Sequence, residues 1–163
     1  MKKSKTIQYN LGNNHLTKII SGSKVSSITS ESLPDAILKY DDENFWVDPA
    51  YVKEICLLLK NNKNLEFSFL NSITAIDHIE NFEVLYHLTS LKNNSKTTMR
   101  VICPNGRKNP EIQSVVSIWK AADLQEREIW DLMGIKFTGH PNLKRILLWE
   151  GFDGHPLRKD YIG

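Results

Sequence analysis

Between Leu124 and His140 the chain reads LQEREIWDLMGIKFTGH, which packs two glutamates, an arginine, an aspartate, a tryptophan and a histidine into one run. Those residue types suit acid–base catalysis by paired carboxylates, an ion-paired helix surface, or a charged docking face. Catalysis by Glu126 and Glu128 fails on geometry. Residues two apart on a helix point in nearly opposite directions, so the two carboxyls cannot address one substrate atom. At about 100° per residue, Ile129, Trp130 and Met133 share one face, and Arg127, Glu128 and Asp131 share the other. Asp123 three residues before Glu126 forms a capping-box pattern, and Gly134 supplies a stop, so a helix of about ten residues is expected. Glu126 falls on the apolar side, where it caps or bridges internally rather than reacts. A solvated Arg127–Asp131 pair would contribute only a few tenths of a kcal/mol.

The other chemistry-bearing residues are dispersed. His15, His78, His87, His140 and His155 show no metal-ligand spacing, and the last two precede prolines, which suits structural turns. A hydrolase built on His140 or His155 is the weakest functional reading. Cys56 and Cys103 lie in the apolar runs ICLLLK and MRVICP, as expected of buried free thiols in a reducing cytoplasm. Two cysteines cannot ligate an iron–sulfur cluster, and neither a GxGxxG motif nor a phosphate-binding loop is present, so the chain is expected to bind no redox cofactor.

After Lys136 no period persists, but two similar phrases recur. GHPNLKR spans 139–145 and GHPLRK spans 154–159, separated by ILLWEGFD. Lys144, Arg145, Arg158 and Lys159 alternate with Trp149 and Phe152, a pattern that could suggest nucleic acid. Residues 111–163 nevertheless carry seven Lys or Arg against eight Asp or Glu, too balanced for a phosphate-attracting field. The basic pairs fit rim contacts to acidic protein surfaces better. Ile146, Leu147, Leu148 and Trp149 must bury against something, which favours docking.

These residues need a scaffold to hold them. A length of 163 residues, 40% hydrophobic and 25% charged, predicts one domain with a real core. A formal charge of +2 implies no polyanion partner. Lys2, Lys3 and Lys5 are followed by no apolar stretch, and nothing approaches the roughly 20 apolar residues of a membrane-spanning helix, so a soluble chain is expected. Residues 1–30, rich in Lys, Ser, Thr and Asn, read as a flexible arm. Leu33, Ile37 and Tyr40 predict a short helix over 32–40. Phe45 to Val47 predicts a strand, and Asp48-Pro49 opens a helix to about Lys60. Strands follow at Leu65–Phe69, Phe82–Leu88 and Met99–Cys103, with short links that make neighbours antiparallel. Asn105-Gly106 ends the third of these, and Asn109-Pro110 opens a helix through Trp119. The fold class is α+β: a single domain, mainly antiparallel sheet with helices packed on it, over 31–135, followed by an extended partner-docking tail, 136–163.

The run EREIWDLMGIKFTGHPNLKRIL closely resembles the signature of the C-subunit family of proton-pumping NADH:quinone oxidoreductase, respiratory complex I. Glu126, Arg127, Glu128, Asp131, Leu132, Met133, His140, Lys144, Ile146 and Leu147 each fall on a position of that pattern. GFDGHPLRKDY is similar to the stretch that follows it in the family, and the likeness extends upstream through FLNSITAIDH, NFEVLYHLTSL and SVVSIW. Leu124 stands where the family commonly has a large aromatic, and many relatives continue beyond the position of Gly163.

The resemblance implies a non-redox structural subunit of the quinone-reducing module. It would brace the quinone-binding and adjacent iron–sulfur subunits at the cytoplasmic face of the bacterial inner membrane. Iron–sulfur clusters, flavin and quinone would sit in those partners, nucleic acid would play no part, and membrane association would come only through the complex. Glu126, Arg127, Glu128, Asp131, His140 and Lys144 are then expected to serve as structural or docking residues. Arg145, Trp149, His155, Arg158, Lys159 and Asp160 would do so in the tail. Two alternatives remain: the equivalent subunit of a ferredoxin-, F420- or hydrogenase-linked membrane complex, and a free-standing protein-interaction adaptor.

Overall fold

A computed structural model describes residues 17–162. Its chief element is a mostly antiparallel sheet. Strands β1 (Lys18–Ile19), β2 (Ile37–Tyr40), β3 (Asn44–Val47), β4 (Phe69–Asp77), β5 (Phe82–Ser90) and β6 (Ser95–Ile102) assemble in the order β2-β3-β6-β5-β4, and β1 adds beside β6. The β4-β5-β6 meander pairs antiparallel, as its short links require, while β3 and β1 pair parallel to β6.

Period-two alternation explains which face is covered. Phe82, Val84, Tyr86 and Leu88 of β5, with Met99 and Val101 of β6 and Phe45 and Val47 of β3, are fully or almost fully buried. Helices α1 (Gly22–Thr29) and α2 (Val52–Asn61) contribute Val25, Val52, Ile55, Cys56 and Leu59 to the same core. Both cysteines are buried free thiols, and Cys56 Sγ approaches Met99 Sδ to 3.9 Å. Among the described residues, no helix is long and apolar enough to cross a membrane.

Several expectations are corrected. Within the arm expected over 1–30, residues 22–29 form α1, whose Val25 enters the core; residues 1–16 lie outside the described residues. The helix expected over 32–40 is absent. Asp41 Oδ1 accepts from the amides of Glu43 and Asn44, closing a turn that pairs residues 37–40 with β3 as a hairpin. Leu65 and Phe67 are buried but precede the strand. Phe67 N–H donates to Leu59 O and Glu66 adopts φ +48°, so the alternation belongs to the loop plugging the end of α2.

The segment after Pro110 is a strand, β7 (Glu111–Gln113), paired parallel with β8 (Lys136–Thr138). The boundary expected at residue 136 therefore falls at the start of β8 and would part it from its partner β7. Between these strands lies α3 (Ala122–Met133), alongside the edge strand β4. Gln125 Oε1 accepts from the Ile73 amide, which occupies an outward-facing donor of the sheet edge.

Candidate functional site

Helix α3 carries the charged run, and the structure divides its residues among three tasks. Its N-cap is Ala121 with no side-chain capping bond, so the capping box expected of Asp123 and Glu126 does not form. Glu126 instead lies wholly buried, accepting from Ser114 Oγ–H at 2.6 Å and Val115 N–H at 2.7 Å, and so ties α3 to the segment after β7. Burial pushes its pKa up to about 7, against the opposing pull of those two donors. Gly134 ends the helix at φ +74°, where a side chain would also strike the His155 ring.

The exposed Arg127–Asp131 pair expected from helical spacing is also absent, because the tail folds back over that face. Asp131 is fully buried. Its Oδ2 accepts from three successive amides, Ile146 at 3.0 Å, Leu147 at 2.8 Å and Leu148 at 3.0 Å, and its Oδ1 accepts from Arg145 Nη1 at 2.6 Å. Successive amides converging on one oxygen form an anion nest, here filled by the protein's own carboxylate. Burial opposes ionisation, yet the Leu148 and Ile146 amides, Arg145 and the Leu147 amide outweigh it and hold this carboxyl well below the usual range.

Arg145 spreads the hub further. Its Nη2 donates to the carbonyls of Phe152 and Gly154, so one guanidinium gathers both ends of the ILLWEGFD segment. Arg127 donates to the Lys144 and Arg145 carbonyls. His155 Nδ1 lies 2.9 Å from the Asp131 carbonyl, and Leu157 N–H donates to Leu132 O. The His140 side chain is fully buried, with Nε2 3.1 Å from the Asp123 carbonyl and Nδ1 accepting from Asn142 N–H. Both ring nitrogens are thus engaged in holding the turn. Glu128 and Lys144 stay exposed.

A second clasp holds the end of the tail, and helical or strand periodicity gave no sign of it. Arg107 binds Asp77 through both terminal nitrogens and reaches Asp160 at 2.8 Å. Arg158 pairs with Asp160 at 2.9 Å and donates to the Arg107 carbonyl, while the Lys159 amide donates to Asp77 Oδ2. Both guanidiniums lie over the Phe82 ring, 4.8 and 4.9 Å from its centroid. The Arg107 hydrogen bond holds Asp77 ionised well below its ordinary range. A third network on the other sheet face joins Trp46, His78 and Arg100 to buried Glu83.

What the clasps leave outside matters most for function. Leu147 is 61% exposed, Trp149 68% and Leu157 59%. Trp149 stands edge-on to Phe152 at 5.8 Å, and Phe152 stacks on Tyr161 at 6.3 Å. The strap, segment 146–157, thus presents positioned apolar side chains to solvent. Among the described residues no group of three or more His, Cys, Asp or Glu is placed to hold a metal ion.

Comparison with known proteins bears on this arrangement. Residues 45–163 match the family model described as the 30 kDa subunit of respiratory-chain NADH dehydrogenase. The chain is 46% identical over 120 residues to the second C-type subunit of NADH-quinone oxidoreductase from Rhizobium meliloti (strain 1021), covering 72% of this chain and 64% of the relative. It is 40% identical over 137 residues to the C-type subunit of the Acidothermus cellulolyticus enzyme, covering 79% of this chain and 70% of that one. The match thus spans just under two thirds of the Rhizobium protein. The trypsin-resistant fragment (1–134) of Nqo5 superposes with a TM-score of 0.57 at 29% identity, covering 74% of this chain and 98% of the fragment. A chain of the membrane-bound sulfane sulfur reductase, an archaeal respiratory membrane complex, shares the fold at a TM-score of 0.68 and 23% identity, covering 86% of this chain and 85% of that one.

Proposed function

Because the chain belongs to the family of the 30 kDa subunit of respiratory-chain NADH dehydrogenase, we propose that it is a non-redox brace in the quinone-reducing module of a proton-translocating NADH:quinone oxidoreductase. In this reading it binds the quinone-binding and adjacent iron–sulfur subunits on the cytoplasmic face of the membrane. It holds no cluster, flavin or quinone itself. Electron transfer depends steeply on the separation of the centres, so a rigid neighbour that fixes their subunits supports turnover without carrying an electron.

The observation that carries the reading is the Asp131 hub. A buried carboxylate holds the backbone of residues 146–148 while Leu147 and Trp149 face solvent. A surface fixed before contact loses less freedom on binding, which is what a bracing interface requires. The reductase fold match at 23% identity bears on architecture alone, so the electron donor of the complex rests on the NADH-quinone oxidoreductase relatives.

Native-gel separation of gently solubilised membranes tests the proposal. The chain is expected in a large band that stains for NADH:quinone reductase activity. Trp149→Ala should reduce the amount of that band more than the specific activity of what assembles. Migration as a small separate species would instead identify an adaptor, and normal assembly with lost turnover would assign the chain a direct part in the reaction.

A further inference from the structure

The chain contains a single Asn-Gly step, Asn105-Gly106, and neither clasp nor docking face uses it. It lies in the exposed turn between β6 and β7, with φ +67° at Asn105 and +62° at Gly106. Asn105 and Gly106 are both exposed, nothing lies within 4 Å of the position a Gly106 Cβ would occupy, and glycine brings no side chain of its own to hinder its nitrogen. The Asn105 side-chain amide donates to the half-buried Glu111 carboxylate at 3.2 Å. Two residues further on, Arg107 carries the second clasp.

We propose that Asn105-Gly106 is a site of spontaneous deamidation, and that its isoaspartyl product loosens the Arg107 clasp on the tail. The Gly106 nitrogen loses its proton and attacks Asn105 Cγ. The new C–N bond closes a five-membered succinimide, and the side-chain nitrogen leaves as ammonia. Water then opens the ring at either carbonyl, giving aspartate or, when the original peptide carbonyl is attacked, isoaspartate. The net reaction is hydrolysis of one amide, with water as the only co-reactant. Asparagine is the thermally labile residue here, and glycine offers the attacking nitrogen no side-chain obstruction.

Two consequences reach Arg107. Either product loses the Asn105 amide that donated to Glu111 and gains a carboxylate in this turn, on the side chain facing Glu111 in aspartate and on the Asn105 Cα in isoaspartate. Isoaspartate also routes the main chain through the former side chain and lengthens it by one methylene just before Arg107. The Arg107 guanidinium must meet Asp77 and Asp160 at once while the Arg107 backbone carbonyl accepts from Arg158, an arrangement with little tolerance for displacement.

The test holds the full chain in mildly alkaline buffer at body temperature and samples it over weeks. Peptide mass mapping and isoaspartyl methyltransferase labelling read conversion, and limited trypsin digestion at Lys144 and Lys159 reads tail release. Conversion should appear at Asn105 before any other asparagine. The isoaspartyl fraction should be cut in the tail at least about tenfold faster, comparable to losing one hydrogen bond to a charged group. Asn105→Gln, whose longer side chain would need a less favourable six-membered ring, should show neither change. Asn105→Asp carries the charge without the added methylene and should fall between. An unconverted Asn105 overturns the site, and a fully isoaspartyl protein cut at the original rate overturns its link to Arg107.

Discussion

Replacing Asp131 by alanine removes the acceptor of three amides and the partner of Arg145 in one step. Breaking a buried ion pair by deleting one partner costs about 3–5 kcal/mol. Three orphaned, part-buried amides at up to about 1–3 kcal/mol each would raise the cost further if the tail stayed in place. The tail need not stay: Ile146 and Leu147 are exposed, and few apolar contacts hold this segment beyond half-buried Leu143, Leu148 and Phe152. The amides can therefore escape to water by local opening, so the loss falls on the strap rather than on the core. Opening of residues 144–157 should become about two to four orders of magnitude more favourable, up to the limit of an unprotected segment. Hydrogen exchange at Ile146, Leu147 and Leu148 reads this directly, and trypsin cleavage after Lys144 should accelerate in parallel. Core amides of β5 should remain nearly as protected as before. Asp131→Asn, which keeps one acceptor oxygen but no charge, should open less. If the three amides of the alanine variant exchanged at the original rate, the side chain would not be what fastens the strap.

Glu126 supplies a pH-dependent prediction. Its pKa rises from 4.5 to about 7, so the folded state binds the proton more tightly than the unfolded state. The favourable contribution is complete below pH 4.5 and is lost as pH rises through 7, with about 2 kcal/mol lost between pH 5 and 7. Glu126→Gln can accept from Val115 N–H and, with the direction reversed, donate to Ser114 Oγ without the charge; it should match the original protein at pH 5 and exceed it by about 2–3 kcal/mol at pH 8 in urea unfolding. Arg107→Ala leaves Asp77, almost wholly buried, without its guanidinium, and should lower unfolding stability by about 3 kcal/mol while exposing Lys159 to trypsin. Trp149→Ala removes a largely exposed side chain, so the urea midpoint of the chain alone should shift by less than about 0.5 kcal/mol equivalent. A large destabilisation in that variant would mean that Trp149 serves the fold.

The meander and α2 were legible because their apolar periods coincide with one-sided burial, as in Phe82, Val84, Tyr86 and Leu88. Leu33, Ile37 and Tyr40 misled because helical spacing in a short segment competes with a nearby turn, and the Asp41 turn decided the outcome. The segment after Pro110 misled for a related reason: its partner strand lies on the far side of α3, beyond any local window. Asp131 was visible as a charged residue but not as a buried one, since its burial depends on a return of the chain about fifteen residues later. A motif-level resemblance located the region that local periodicity could not interpret. Asp77 lay within a stretch of that resemblance, but nothing local pairs it with Arg107, because the contact joins the end of β4 to the turn after β6.

The Asp131 hub grips main-chain nitrogens, and every residue except proline has one to offer. At residues 146–148 the attachment is therefore indifferent to which side chains ride on the strap. Substitutions there could rewrite the shape and polarity shown to a partner while the fastening persists. Recognition and folding become separable properties, and two interacting proteins could change their mutual fit in small steps without either passing through an unfolded intermediate. A designer could use the same division, grafting new sequences onto an unaltered attachment.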